Sequence, residues 1–293
     1  MPLFSNKSRY FVLTGGRGSS KSFSATVFLL NLTYEKGHKI LFSRYTLTSA
    51  AASIIPEFIE KLELMGVLDQ FTVNKTEIIN NLTGSSIYFS GIRTSSGDQT
   101  AKLKSIQGVS TFVLDEAEEL TDEESFDKID FSIRSKLVKN RCILILNPTT
   151  KENWIYHRFF QNRGVPDGHN GTKENITYIH TTYQDNLDHL SKSFVKQIEV
   201  MKVRRPEKFK HQIEGGWLES AEGVIFKHWN IGKFNNEIDS IFGMDIGFSV
   251  DPSVLVDNFR LAGEYEYEIS INNTNTAFIF LTFMSLMVCC LLL

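Results

Sequence analysis

A glycine- and serine-rich loop, GGRGSSKS at residues 15–22, lies between an apolar run and a helical pattern near the start of this 293-residue chain. Residues 10–14 (YFVLT) predict a buried strand, and residues 21–35 predict a helix. The helix positions expected to be buried are Phe23, Val27, Phe28 and Leu30. Glycines let backbone N–H groups curl around an anion, and the start of a helix adds positive partial charge. The strand–loop–helix order therefore predicts a phosphate-binding loop in an α/β fold, with a plain strand-to-helix turn as the alternative.

Each residue of this loop has an expected role at a nucleotide. The residues expected to contact its phosphates are Gly15, Gly16, Arg17, Gly18, Ser19, Ser20, Lys21 and Ser22. Lys21 is expected to reach the β- and γ-phosphates, and the Ser22 hydroxyl to bind Mg²⁺. Ser20 stands where glycine is usual, and we expect a backbone there that does not need a positive φ. The Arg17 guanidinium is expected either to stabilise transition-state charge, in its own or a neighbouring subunit, or to make a contact without catalytic effect.

Two carboxylates follow a second apolar run, TFVLDE at residues 111–116. In a phosphate-loop enzyme an acid at such a strand end holds Mg²⁺ through water, which predicts Asp115 as a metal ligand. The adjacent Glu116 is predicted to polarise the attacking water as general base. The alternative is an acidic helix start, which is electrostatically favourable on its own.

A third apolar run, CILIL at residues 142–146, ends in the polar turn NPTT. A polar side chain at this strand end can sense the γ-phosphate, which makes Asn147 and Thr149 candidate nucleotide-binding residues. An ordinary Asn-Pro turn is the alternative.

Apolar strands alternate with helices along the chain, as in a mostly parallel sheet covered on both faces. Further strands are predicted at residues 39–43, 71–74, 77–80, 86–90, 111–114, 142–146, 240–244 and 253–257. Helices are predicted at residues 48–65, 122–138 and 191–213, and a polar surface loop at residues 161–175. Composition agrees with a globular protein, since 42% of the residues are hydrophobic and 22% are charged.

Charge and cysteine content exclude two classes of protein. The net charge of −3 does not indicate a general affinity for nucleic acid, so a DNA contact requires a local patch of basic residues. Such a patch is the basic run Lys202, Arg204, Arg205, Lys208 and Lys210, for which a simply solvated helix face is the alternative. Three cysteines exclude a disulfide framework and favour a reducing compartment.

These motifs together resemble the large terminase subunit family of tailed bacteriophages. GGRGSSKS at 15–22 is similar to its Walker A loop, TFVLDEAEEL at 111–120 to its Walker B segment, and LNPTT at 146–150 to its coupling motif. TTYQDN at 181–186, EGGWLE at 214–219, GVIF at 223–226 and FGMDIGFSVDPSVLV at 242–256 are similar to later segments. The resemblance covers about residues 9–257, with the motifs in order.

The resemblance implies an additional-strand P-loop ATPase joined to an RNase H-like nuclease. It implies ATP and Mg²⁺ as ligands of the motor half. It also implies Asp245 as a catalytic, metal-binding carboxylate of the nuclease half, with Mg²⁺ or Mn²⁺. The implied partners are double-stranded DNA, a small terminase subunit and a portal protein, with a homo-oligomeric ring during packaging in the host cytoplasm.

The resemblance to the family ends abruptly after about Val256. The acids after Asp245 lie close together in sequence, so we expect an incomplete and inactive nuclease. The expected division is an ATPase core at 1–150, an ATPase-completing segment at 151–222, a partial nuclease at 223–275 and an apolar tail at 276–293. The tail is interpreted as an out-of-frame remnant, a membrane anchor or a buried helix, of which the remnant is favoured.

Two other functions fit parts of the pattern. One is a helicase-like or remodelling P-loop ATPase with an accidental later similarity. The other is an inert truncated product that binds DNA or other subunits without turnover. ATP hydrolysis separates the inert product from both kinds of motor.

Overall fold

The computed structural model of the protein describes residues 3, 8–46, 54–94, 97–98, 108–219, 240–245 and 254–259. The chain divides into a first unit, Met1–Gly223, and a second unit, Val224–Leu293. The predicted loop, the acids at residues 115–116 and the polar turn at residues 147–150 belong to the first unit. The fourfold division expected from the sequence stays a prediction.

A ten-stranded sheet organises the described part of the first unit. Its strands are β1 (Tyr10–Gly15), β2 (Lys39–Thr46), β3 (Phe71–Val73), β4 (Glu77–Asn80), β5 (Ser86–Thr94), β6 (Gly97–Asp98), β7 (Thr111–Asp115), β8 (Arg141–Leu146), β9 (Gly171–Lys173) and β10 (Ile176–Thr181). They lie in the order β3-β4-β5-β2-β7-β8-β1-β10-β9, with β6 paired to β5. The strands from β5 to β10 in that order are parallel, and antiparallel strands flank them. Strand β8 therefore lies between β1 and β7, as an additional-strand fold requires.

Helices and short 3₁₀ turns connect these strands. The helices are α1 (Lys21–Leu32), α2 (Ile55–Leu64), α3 (Glu123–Asp130), α4 (Trp154–Phe159), α5 (Lys192–Arg204) and α6 (Pro206–Gln212). The 3₁₀ turns are Leu68–Gln70, Ala117–Glu119, Gln161–Arg163 and Tyr183–His189.

The two faces of the sheet build separate cores because successive side chains of a strand point to opposite faces. On β1, Val12 packs into a cluster that contains α3 and α4 residues, whereas Phe11 and Leu13 pack into one that contains α1 and α2 residues. Strand β7 divides in the same way, with Phe112 on one face and Val113 on the other. This two-sided burial explains why the central strands are continuous apolar runs.

A third, smaller core joins α5 and α6. It contains Tyr183, Ile198, Phe209 and Ile213, with Leu190, Phe194 and Met201 packed against it. The helical stretch predicted at 191–213 is therefore present, divided into two helices at Arg205 and Pro206.

Several predictions for the first unit need correction. Helix α3 ends at Asp130 rather than near residue 138, because Arg9 donates hydrogen bonds to the backbone oxygens of Asp130 and Ile133 and so replaces a further turn. Phe23 is 40% exposed and Val27 is half-buried, whereas Phe28 and Leu30 are buried as predicted. The predicted surface loop at 161–175 contains strand β9, which pairs with β10. Helix α2 begins at Ile55. Residues 48–53 of the helix predicted there lie outside the described ranges.

The described residues of the second unit form one antiparallel pair, β11 (Ser240–Asp245) and β12 (Val254–Phe259). The strands predicted at 240–244 and 253–257 are confirmed within a residue or two. The predicted RNase H-like domain stays a prediction, and residues 223–226 and the apolar tail lie outside the described ranges. No helix within the described ranges combines the length and apolar composition that a bilayer crossing requires.

Candidate nucleotide-binding site

The loop at residues 15–22 joins β1 to α1 at the carboxyl edge of the parallel strands. Gly18 has a φ of 77°, and Ser20, the residue before α1, has a φ of 62° in the left-handed region. The expectation that Ser20 avoids a positive φ is therefore wrong. A left-handed conformation costs a non-glycine residue about 1–2 kcal/mol. Such strain is typical of sites where the backbone must present its N–H groups in one direction.

The Lys21 ammonium folds back over this loop. Its Nζ donates to the backbone oxygens of Gly15 at 2.8 Å and Gly16 at 3.1 Å, to Ser19 Oγ at 3.3 Å and to Asn147 Oδ1 at 3.0 Å. All four acceptors are uncharged. Burial lowers the pKa of Lys21 to about 8, although the Glu118 and Asp115 carboxylates raise it in part. The site therefore holds a half-buried cation that makes no hydrogen bond to an anionic group among these contacts.

The far side of the loop is packed against the segment that follows α6. The Arg17 N–H donates to the backbone oxygen of Gln212 at 2.9 Å, while the Arg17 side chain is exposed. A Cβ at Gly16 would lie 1.9 Å from the Ile213 oxygen, and a Cβ at Gly215 would lie 2.5 Å from the Gly15 carbonyl carbon. Glycine is needed at both positions because two backbones touch there.

The carboxyl end of β7 carries the predicted acids. Asp115 is buried, and its Oδ2 accepts from Arg44 Nε at 2.8 Å and lies 2.7 Å from Arg44 Nη2. Glu116 has a φ of 53°, and its Oε2 lies 3.6 Å from Arg44 Nε. Burial raises the pKa of Glu116, against the opposing effect of Arg44. A raised pKa suits a general base because it strengthens the proton acceptor.

A hydrogen-bonded chain links the lysine to a third acid. Asn147 Nδ2 donates to Glu118 Oε1 at 3.2 Å, while Asn147 Oδ1 accepts from Lys21. Glu118 Oε2 is buried and has no hydrogen-bond partner in the described part of the chain. Burial raises the pKa of Glu118, opposed by hydrogen bonds that include one from Asn147. Asn147 therefore connects Lys21 of the loop to Glu118 by hydrogen bonds.

The structure thus brings Lys21, Asn147 and Asp115 to one edge of the sheet, with Glu116 beside them on the Arg44 guanidinium. Thr149 is elsewhere in the turn: its backbone oxygen accepts from the Leu218 N–H at 2.8 Å, and its side chain is half-buried. Ser22 is exposed on the first turn of α1. Asp245 ends β11 in the second unit.

Sequence reasoning missed Arg44 and Glu118. Arg44 carried a signal, because a charged residue directly follows the buried run ILFS of β2 at the same sheet edge as Asp115. Glu118 lies in an acidic run where the pattern distinguishes no single residue. Within the described ranges, no group of three or more His, Cys, Asp or Glu side chains is arranged to hold a metal ion.

Comparison with known proteins finds a family model and relatives that match most of this chain. The family model for the phage terminase large subunit matches residues 7–216. The chain is 27% identical over 269 residues to the terminase large subunit of Bacillus phage SPP1, covering 84% of this chain and 59% of that protein. It is 29% identical over 285 residues to the PBSX phage terminase large subunit of Bacillus subtilis (strain 168), covering 90% and 63%. The chain therefore spans about three fifths of the length of these curated relatives.

A large terminase from a thermophilic bacteriophage has a similar structure, with a TM-score of 0.57 at 14% identity over 89% of this chain and 62% of that one. This likeness confirms the predicted α/β fold of the P-loop type, with a mostly parallel sheet. The family match contains the loop at 15–22, the acids that follow β7 and the turn that follows β8. Since it extends over more than half of the sequence, the chain belongs to the phage terminase large subunit family.

Proposed function

We propose that this chain is an ATP-hydrolysing motor subunit that moves double-stranded viral DNA into a procapsid. The observation that carries the proposal is the half-buried Lys21 ammonium, which the glycine loop holds near the Asp115 and Glu118 carboxylates. The structurally similar large terminase of the thermophilic bacteriophage has been solved in complex with ADP and with ATP-γ-S, which supports a nucleotide in the corresponding fold.

The residues of the site fit a triphosphate. Lys21 presents a positive charge to neutral acceptors only, so a phosphate would supply the missing anionic partner. The start of α1 has no side-chain cap from Ser20, which leaves its first N–H groups for phosphate oxygens. We assign phosphate contacts to residues 15–22 and γ-phosphate sensing to Asn147, with Thr149 as a second candidate.

The same residues fit a magnesium ion that arrives with the nucleotide. Ser22 and Asp115 supply a hydroxyl and a carboxylate, the oxygen ligands that Mg²⁺ prefers, and the phosphates would complete the set. When bound, the ion neutralises phosphate charge during transfer. Glu116 then orients and deprotonates the attacking water, and Arg17 is the proposed stabiliser of transition-state charge.

Nucleotide binding and hydrolysis test these roles in the purified protein. Lys21→Ala is expected to abolish ATP binding, whereas Lys36→Ala, at an exposed site, is not. Glu116→Gln is expected to bind ATP normally but to hydrolyse it roughly 10²–10⁴-fold more slowly, because the general base is lost. Glu119→Gln, the same change at an exposed acid three residues later, is the matched control. Equal hydrolysis by the wild type and Glu116→Gln would refute the assignment.

The remaining family properties follow as proposals. A small terminase subunit, a portal protein and a homo-oligomeric ring in the host cytoplasm are the proposed setting. Asp245 is the proposed first metal-binding carboxylate of a nuclease half, which we expect to be inactive in this polypeptide. Plasmid cleavage with Mn²⁺ that Asp245→Asn abolishes would contradict that expectation.

A further inference from the structure

One guanidinium, that of Arg44, contacts both predicted acids of the site. Arg44 lies at the carboxyl end of β2, and the parallel register that pairs Ser43 with Leu114 brings it beside Asp115. Its Nε and Nη2 lie 2.8 and 2.7 Å from the same oxygen, Asp115 Oδ2, and Nε lies 3.6 Å from Glu116 Oε2. The side chains of Arg44 and Asp115 are 18% and 5% exposed, so water screens this pair weakly.

Two adjacent carboxylates at a buried strand end repel each other and favour turning apart. A buried Asp115 without a partner would be strongly destabilising. The planar, always charged Arg44 guanidinium offsets the repulsion between the two carboxylates and supplies the partner that the buried Asp115 needs. Nε donates to Oδ2 and Nη2 lies beside the same oxygen, so the arginine holds the Asp115 carboxylate through Oδ2.

We propose that Arg44 is a positioning residue that holds Asp115 and Glu116 in the arrangement needed for magnesium-dependent hydrolysis. This inference rests on the proposed ATPase function. Arg44 fixes Asp115 by one oxygen and leaves the other for the metal-bound water, while its charge keeps Glu116 beside Asp115. The P-loop itself does not depend on it, since the contacts of Lys21 are made by other residues.

The test separates nucleotide binding from the magnesium-dependent steps. In EDTA, Arg44→Ala is expected to bind ATP within about twofold of the wild type. The additional rise in melting temperature that Mg²⁺ causes with ATP is expected to disappear, because the oriented Asp115 is lost. Hydrolysis at saturating ATP and Mg²⁺ is expected to fall by roughly tenfold or more.

Arg158→Ala is the matched control. Arg158 also bridges two acids, Glu123 and Asp127, with its side chain 23% exposed, but it lies on α4 outside the site. It is expected to lower stability without changing the magnesium-dependent shift. A merely structural role for Arg44 would give the same result in both variants.

Arg44→Lys keeps the charge but offers a single donor atom, and it provides a second test if Arg44→Ala does not fold. It is expected to remain several-fold impaired in hydrolysis and in the magnesium-dependent shift. Wild-type behaviour of either Arg44 variant would overturn the proposal. If instead the wild type and Lys21→Ala bind and hydrolyse ATP equally, the proposed nucleotide site itself is wrong, whatever the Arg44 variants show.

Discussion

Lys21, which is half-buried, and Asp130, which is buried, have opposite surroundings for their charges. Asp130 accepts hydrogen bonds from the Arg9 guanidinium, the Tyr10 hydroxyl and the Cys142 thiol. Burial opposes its ionisation, but these donors outweigh burial and lower the pKa of Asp130. Lys21 has neutral acceptors, and burial lowers its pKa to about 8. A satisfied charge therefore stabilises the fold at one end of β1, and an unsatisfied one remains at the other, where a ligand is proposed.

Asp130→Asn is expected to lower the free energy of unfolding near neutral pH by about 3 kcal/mol, because Arg9 loses its buried anion. The folded pKa of Asp130 lies below its unfolded value. Its contribution is therefore complete above about pH 4 and is lost as the pH falls through the folded pKa. Urea unfolding at several pH values measures the effect.

The difference between wild type and Asp130→Asn should shrink toward zero as the solution is acidified below about pH 4. Asp167→Asn, at an exposed site, serves as the control with little effect at any pH. A difference that is constant with pH would show that the ionised form of Asp130 is not the stabilising one.

At the scale of elements, the loop at residues 15–22 packs against three later segments of the chain, which contain Asn186, Phe194 and Gly215. Phe194 of α5 approaches Gly18, Asn186 Nδ2 donates to the Gly18 oxygen at 3.0 Å, and Gly215 lies against Gly15. The loop is thus supported from behind by residues about 170–200 positions later in the chain. Its strained Ser20 conformation is held by this surrounding structure rather than by its own preference.

Gly215→Ala tests that support. Gly215 has a φ of 72°, and an added Cβ would lie 2.5 Å from the backbone of Gly15, so two backbones must separate. We expect a loss of at least about 2 kcal/mol in unfolding free energy. ATP affinity should fall as well, because the displaced backbone belongs to the phosphate loop.

Gly84→Ala is the matched control, since Gly84 has a φ of 75° with no atom within 4 Å of the added Cβ. It should show the conformational strain of about 1 kcal/mol without an effect on ATP affinity. Similar ATP affinities for Gly215→Ala and the wild type would show that the two segments are not coupled.

Over the whole molecule, charge is distributed unevenly although the net charge is only −3. Residues 192–210 contain seven Lys or Arg and two Glu residues. Most of these basic side chains are exposed on α5 and α6, because the apolar positions of both helices face the third core. This basic surface is the one that we propose for contact with a DNA backbone.

Changing Arg204, Lys208 and Lys210 together to Gln is expected to weaken binding of double-stranded DNA. If these side chains contact phosphates, each lost contact should reduce the slope of log affinity against log salt by about 0.9. Fluorescence anisotropy across a salt series measures both quantities. Changing the exposed residues Lys36, Lys75 and Lys136 to Gln removes the same charge elsewhere, and an equal effect of both triple variants would argue against a specific surface.

Prediction from the sequence succeeded where local pattern decides structure. Strands β1, β7 and β8 are continuous apolar runs bounded by polar residues or glycine. The predicted first and last residues of each strand agree with the structure within one residue. It failed where a distant residue intervenes: α3 ends at Asp130, whose carbonyl group accepts from Arg9, and Phe23 is exposed although it stands in an apolar helix.

By itself, the sequence determined the α/β class, the glycine loop between β1 and α1 and the acids at the end of β7, because each depends on neighbouring residues and on strand or helix periodicity. Only the tertiary structure decided that Arg44 meets Asp115 across 71 residues and that Lys21 meets Asn147 across 126. Those contacts depend on the order of strands in the sheet, with β2 beside β7 and β8 beside β1. Strand order arises from packing of the whole chain, which no local segment encodes.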